Sequence, residues 1–355
     1  MRKTLLCLGF GYTARALAPR LLAQGWRVIG TSREAVEAEG VEMITWPGQD
    51  VPLDGVTHVL SSIGPNMAGD PVLAAMAGQI TAAPDLEWVG YLSTTAVYGH
   101  HDGAWVDEAT PVTPSSERGD WRARAEAQWQ AIPGLPLHIF RLAGIYGPGR
   151  GPFAKLMAGK ARRIIKPGQV FSRIHVEDIA QVLAASIAQP DPGAIFNVCD
   201  DDPAPPQDVL GHAAELLGLP VPAEVPFDEA GMTPMARSFY GENKRVRNLR
   251  IKEELGVKLL YPTYREGCGQ CWKPRIWRAL CRLRSRRGCN SHGRDACSPA
   301  GAVALIQAGS DQVSKRVKPA SRQLLPRPAP PAPWLRSAAR SWPRPRTYPQ
   351  GWPGR

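Results

Sequence analysis

Cysteine is scarce through most of this 355-residue chain: of seven, only Cys7 and Cys199 precede residue 268, each inside an apolar run. Two isolated thiols exclude a disulfide framework, and their setting fits reduced, buried side chains of a cytoplasmic protein. No apolar stretch reaches the roughly 20 residues that a membrane-spanning helix needs. The run at 4–8 is also too short for the apolar core of a secretory leader. Acid is what the C-terminal part lacks. Residues 268–355 hold eighteen Lys and Arg against two Asp, so the formal charge of +11 belongs to them, and residues 1–267 are acidic by five. A nucleic-acid or membrane partner is therefore not expected for the main part of the chain.

What the chain has, within its first 33 residues, is a strand, a glycine turn, a helix and a second strand. The apolar run at 4–8 meets Gly9-Phe10-Gly11-Tyr12-Thr13-Ala14; Ala16, Leu17, Leu21 and Leu22 then recur at helical spacing, and 27–30 is a strand again. Gly9 lets the chain leave the strand sharply, Gly11 removes a side chain where backbone must approach a pyrophosphate, and the small Ala14 lets helix and sheet pack closely. The helix start then offers free N–H groups to phosphate. Such a string also serves ordinary tight turns; its place between strand and helix is what points to a dinucleotide. The second strand ends in Gly30-Thr31-Ser32-Arg33, not in the Asp or Glu that accepts the ribose hydroxyls of NAD. NADP is thus favoured over NAD, with Ser32 and Arg33 on the 2′-phosphate; the alternative for Arg33 is a solvated residue at a helix start.

Further along, the pattern predicts a short polar helix over 34–39, a loop over 46–56, and strands over 41–45, 58–61, 88–92, 137–141 and 194–199. Helices are predicted over 71–80, with Asp70 as cap and Pro71 at the first position, and over 121–130, 176–188, 207–217 and 249–255. Beyond Arg150 the alternation loosens into a helix at 153–159, a basic run at 162–166 and a strand at 171–176. Ser61 and Ser62 close the fourth strand, where adenosine or its ribose would lie; a plain turn is the equal alternative. Strands alternating with helices argue for an α/β fold, a Rossmann-type doubly wound parallel sheet. The expected division is a dinucleotide-binding domain over 1–150 and a small C-terminal substrate region over 151–267 interleaved with the last strands.

Taken in order, GFGYTA at 9–14, STTAVYG at 93–99, RLAGIYGPGR at 141–150, SRIHVEDIA at 172–180 and IFNVCDD at 195–201 resemble the extended short-chain dehydrogenase/reductase family. That family holds nucleotide-sugar epimerases, dehydratases and NAD(P)-dependent reductases; the likeness is strongest to a bacterial subgroup of atypical members. The resemblance implies that Gly9, Gly11, Tyr12 and Thr13, with Phe10 in the same turn, contact the pyrophosphate. It implies that the Thr94 hydroxyl orients the reacting oxygen, that Tyr146, Arg150 and His175 lie toward the substrate, and that Asp178 is structural.

One departure matters for the chemistry. The family's Tyr-x-x-x-Lys pair, aligned through Glu126, falls here on Arg118 and Arg122. An arginine stays protonated at neutral pH and is neither general acid nor base, although Arg122 remains suited to a nicotinamide ribose or an anionic substrate. For the proton, the nearest groups in the resemblance are Tyr98, His100, His101 and His175, each of which also reads as a surface or hydrogen-bonded structural residue. Asp107 and Glu108 read as solvated loop charges. No metal set with credible spacing occurs before Gly267.

The family-like text stops at Gly267. Of Cys268, Cys271, Cys281, Cys289, His292 and Cys297, only the first pair has the spacing of zinc ligands. An altered reading frame and a natural disordered tail are the other readings of 268–355, whose composition repays little of the entropy of ordering. The expected function is an NADP-dependent reductase or epimerase acting on a small hydroxyl, keto or nucleotide-linked compound, with a homodimer left open. The rival is an NADP-binding sensor without turnover, favoured by Arg118 and Arg122.

Overall fold

The computed structural model describes residues 2–159 and 161–271; the basic stretch from 272 onward and the cysteines in it lie outside them. In chain order the first elements are β1 (Thr4–Leu8), α1 (Tyr12–Leu22), β2 (Arg27–Ser32), β3 (Val41–Thr45), β4 (His58–Ser61), α2 (Pro71–Ala82) and β5 (Trp88–Thr94). A 3-10 turn, Thr95–Tyr98, leads to β6 (Trp105–Val106), α3 (Glu117–Gln130), β7 (Leu137–Leu142), β8 (Gly144–Tyr146) and α4 (Pro152–Met157). Then come β9 (Arg163–Ile165), β10 (Arg173–His175), α5 (Val176–Ala188), β11 (Ile195–Val198), α6 (Pro206–Leu216) and β12 (Glu224–Pro226). The last described elements are α7 (Pro234–Phe239), β13 (Arg245–Val246), α8 (Leu249–Glu253) and α9 (Tyr264–Cys271).

Seven parallel strands form the main sheet in the order β11-β7-β5-β4-β1-β2-β3. Strand order reverses between β1 and β4, and in such sheets the crevice outside the carboxyl ends at that point receives the ligand. β1 buries all five residues because alternate side chains serve opposite layers. Leu5 and Cys7 join Leu17, Leu21, Ile179 and Leu183 from α1 and α5, whereas Leu6 and Leu8 join Val72, Met76, Ile80 and Trp129 from α2 and α3. The apolar stripe of α5, Ile179, Val182, Leu183 and Ile187, is fully or almost fully buried, which contributes on the order of 2 kcal/mol per side chain. Three small two-stranded pairs, β10-β8, β12-β9 and β13-β6, lie outside the main sheet.

Local chemistry sets the helix starts. Asp70 Oδ1 accepts from the Val72 and Leu73 amides at 2.8 and 3.2 Å, and Pro71 follows at the first helical position. Ser116 caps α3 through the Gly119 amide, so this helix begins four residues ahead of the predicted 121. The polar helix predicted over 34–39 does not form: the segment is a bend closed by an Ala38–Val41 bridge. Six residues carrying Glu34, Glu37 and Glu39 with no packed apolar face do not repay helix nucleation. The strand predicted over 171–176 shrinks to Arg173–His175, because Val176 already begins α5. At the other end of the described chain, α9 runs past Gly267 and buries Cys268.

Candidate active site

The turn after β1 is held open by its neighbours. Gly9 adopts φ +91°, and a Cβ there would meet Ile63 and the Ser62 hydroxyl at 2.8 Å. Its amide donates to Thr31 Oγ1 at 2.8 Å, while the Phe10 amide donates to Thr31 O at 2.7 Å. Ser62 Oγ donates to Gly9 O at 2.5 Å. Ser62 is thus a brace for the turn and is not aimed at a ligand. The Phe10 ring is buried over Gly30, where any Cβ would strike it at 2.7 Å, so only the backbone of Phe10 borders the cleft.

Gly11 caps α1 with no side chain, has open space where a Cβ would stand, and is followed by a first turn without acid. The Gly11 amide donates to Gly9 O at 2.8 Å, so the first amides of α1 meet the cleft through Tyr12 and the buried Thr13. Ser61, at the carboxyl end of β4, is buried with its Oγ lacking a hydrogen-bond partner among the described residues. Ser32 lies half-buried at the end of β2, accepting only a long bond from the Glu34 amide at 3.4 Å, and Arg33 beside it is exposed. An uncapped helix start, open space over Gly11 and an orphaned hydroxyl together fit a dinucleotide.

Beside this cradle, Thr94 ends β5 half-buried, its Oγ1 accepting from the Ala96 amide at 3.3 Å. Arg122 on α3 donates from one terminal nitrogen to Leu92 O at 2.7 Å and to the Tyr91 phenol at 3.2 Å. Its other terminal nitrogen lies 3.3 Å from where a Cβ on Gly64 would be. Its guanidinium thus spans the ends of β4 and β5. Arg118, one turn earlier, is exposed and reaches Met235 Sδ at 3.7 Å.

Tyr98 does not join Thr94. It is fully buried, its phenol donating to Asn197 Oδ1 at 2.8 Å and accepting from Arg141 at 2.9 Å, and burial raises its pKa further. That removes it as the proton donor. Arg141 in turn forks onto Glu126 at 2.7 and 3.2 Å, both side chains 4% exposed, and Ser93 Oγ donates to the same carboxylate. Glu108, expected in solvent, is half-buried and accepts from the Asn197 amide at 2.7 Å, with its pKa raised by burial. This chain of Ser93, Glu126, Arg141, Tyr98, Asn197 and Glu108 lies beneath the end of β5. The sequence carried one signal for it: a charged residue in the apolar strand LHIFRL demands a buried partner.

The substrate-side expectations divide. His175 is fully buried and caps α5, its Nδ1 accepting from the Glu177 amide at 3.3 Å; burial lowers its pKa to about 4. Its ring packs against Tyr146 and Tyr261, with centroids 5.2 and 4.1 Å away. Tyr146 is 5% exposed, its phenol donating to Thr263 O at 3.4 Å beneath α9. Neither faces a substrate: both join the packing that fastens α5 and α9. His100 is engaged by Asp102 and the Asn243 amide, and His101 by Tyr98 O. Arg150 is exposed and lies over the Tyr12 ring. Asp178, as expected, is structural: it accepts from the Leu260 and Tyr261 amides at 2.7 and 3.1 Å.

No family model matches the chain. A conserved protein of unknown function from Silicibacter pomeroyi is 68% identical, with a TM-score of 0.74 over 76% of this chain and 98% of that one. Protein YeeZ of Escherichia coli K12 is 27% identical over 284 residues, 73% of this chain and 97% of YeeZ. A candidate NAD-dependent epimerase/dehydratase from Methylobacillus flagellatus is 26% identical, with a TM-score of 0.56 over 80% and 99% of the two chains. The human epimerase family protein SDR39U1, solved with NADPH, shares the fold at 19% identity and a TM-score of 0.63 over 77% and 99%; other structures of this fold hold NAD. Fold, glycine turn and relatives together place the chain in the extended short-chain dehydrogenase/reductase family, that of the NAD-dependent epimerases and dehydratases. Within that family it belongs to the YeeZ-like subgroup.

Proposed function

We propose that this chain binds NADP across the carboxyl ends of β1, β2 and β4 and acts as a reductase or epimerase on a small hydroxyl or keto compound, nucleotide-linked compounds included. The observation that carries the reading is the uncapped start of α1 above Gly11, flanked by Ser32 and Arg33 where an acidic residue would select NAD. The amides of Tyr12 and Thr13 take the pyrophosphate over the open space at Gly11, whose own amide donates to Gly9 O at 2.8 Å; Ser61 takes a ribose or adenine atom, and Ser32 with Arg33 takes the 2′-phosphate. When bound, the nicotinamide supplies a carbon that gives or accepts hydride. The Thr94 hydroxyl holds the reacting oxygen. Arg122, fixed on Leu92 O, turns its remaining N–H groups to the nicotinamide ribose or to an anionic substituent of the substrate. The setting we assign is the cytoplasm, in keeping with the buried thiols of Cys7, Cys199 and Cys268, of which Cys7 is pushed up to about 12 by burial.

A second reading, an NADP-binding sensor without turnover, is favoured by one observation: arginines stand at both positions of the family's proton-transfer pair. Titration of the full chain with NADPH and NADH, followed by fluorescence, tests the first half of the proposal. Binding of NADPH about tenfold tighter, or about 1.4 kcal/mol, supports it, and binding of neither overturns it. Loss of NADPH absorbance on addition of hydroxyl and keto compounds then separates the enzyme from the sensor.

A further inference from the structure

Arg150 ends a tight turn, residues 147–150, closed by Gly147 N to Arg150 O at 2.9 Å and Arg150 N to Gly147 O at 3.0 Å. Its guanidinium carbon lies 5.6 Å from the ring centroid of Tyr12, the first residue of α1. The Tyr12 phenol in turn donates to Pro148 O at 3.1 Å, tying together segments 136 residues apart. Gly147 is what permits the approach, since a Cβ there would lie 2.5 Å from the Tyr12 hydroxyl. The turn after β8 is therefore strapped to the phosphate-binding end of α1.

We propose that Arg150 is a cofactor residue and not a substrate residue: laid on the Tyr12 ring, it supplies the cation that meets the dinucleotide pyrophosphate at the start of α1. This rests on the NADP reading above. Three features support it. A guanidinium stacked on an aromatic face keeps its N–H edge free for two phosphate oxygens. The first turn of α1 carries no acidic residue to draw it away. The other arginine at this turn, Arg15, is engaged by Phe10, donating to Phe10 O at 3.4 Å and lying 5.5 Å from the Phe10 ring, which packs on β2.

The test is a fluorescence titration of the full chain with two probes: NADPH, and adenosine 2′-monophosphate, which keeps the adenosine half and its 2′-phosphate but has no pyrophosphate. Arg150→Met is expected to weaken NADPH about tenfold, to flatten its salt dependence, and to leave adenosine 2′-monophosphate unchanged. Arg150→Lys, with a cation but no fork, should recover part of the loss, and Tyr12→Leu, which removes the platform, should reproduce it. Unchanged NADPH affinity in Arg150→Met overturns the proposal while leaving the NADP reading intact. Equal losses for both probes also overturn it, because the turn then serves folding alone. Wild-type protein that binds neither probe overturns the NADP reading and this inference with it.

Discussion

At the β1–α1–β2 end of the sheet, the polar groups facing the cleft are main-chain amides, braced from behind by Thr31 and Ser62. At the β5–α3–β7 end they are side chains, and most turn away from it: Glu126, Arg141, Tyr98 and Asn197 Oδ1 bond to one another in the interior, leaving Asn197 Nδ2 without a partner among the described residues. The difference is one of how each half is stabilised. The first depends on backbone shape, which glycine permits. The second depends on a buried ion pair, whose desolvation is offset only while every partner is present.

Substitutions that remove one partner should therefore hit the two halves in different currencies. Glu126→Gln strands the Arg141 guanidinium in the interior and is expected to cost about 3–5 kcal/mol of folding stability, measured by urea denaturation of the full chain. Gly9→Val collides with Ile63 and Ser62 at a backbone angle that side chains rarely adopt. It should weaken NADPH binding by more than about a hundredfold while costing only about 1–3 kcal/mol of stability. The comparison breaks if Glu126→Gln folds normally, or if it alters cofactor affinity as severely as Gly9→Val.

The same contrast explains what could be read from the sequence. The strand, glycine turn and helix of 4–22 depend on neighbours a few residues apart, so periodicity and Gly9 were enough. Asp70 with Pro71 announced α2 for the same reason. Ser62 was legible as a strand-end hydroxyl, but its work, donating to Gly9 O from 53 residues away, was not. Tyr98 and His175 carry chemistry in many proteins, and their types suggested it here. What decided otherwise was long-range packing: Asn197 and Arg141 on one, Tyr146 and Tyr261 on the other. His175 did leave a local clue, because a residue directly before Val176-Glu177-Asp178 stands where a helix cap belongs.

A pH titration sharpens the picture of the polar interior. Asp200, at the end of β11, is 1% exposed, and burial pushes its pKa up to about 8. The folded state then holds a proton that the unfolded chain, with an ordinary carboxyl, has released, so stability falls as pH rises toward 8. His58 works oppositely: buried between Trp26 and Trp88, its pKa is lowered to about 4, and its contribution is lost as pH falls from about 6.5 toward 4. Between about pH 6.5 and 8 the Asp200 effect stands alone of the two and should remove roughly 1.5 kcal/mol. Asp200→Asn should abolish that decline in thermal melts; a decline that persists in the variant assigns it elsewhere.

The smallest effect separates the cofactor half from itself, adenosine side from pyrophosphate side. Arg33 is exposed, so its charge acts through water and salt screens it. Arg33→Ser should therefore weaken NADPH by no more than about tenfold, near 1.4 kcal/mol, and leave NADH where it was, since NADH has no 2′-phosphate to lose. Added salt should narrow the gap between wild type and variant. Equal weakening of both nucleotides would show Arg33 shaping the turn after β2, and the NADP preference would then have to come from Ser32 alone.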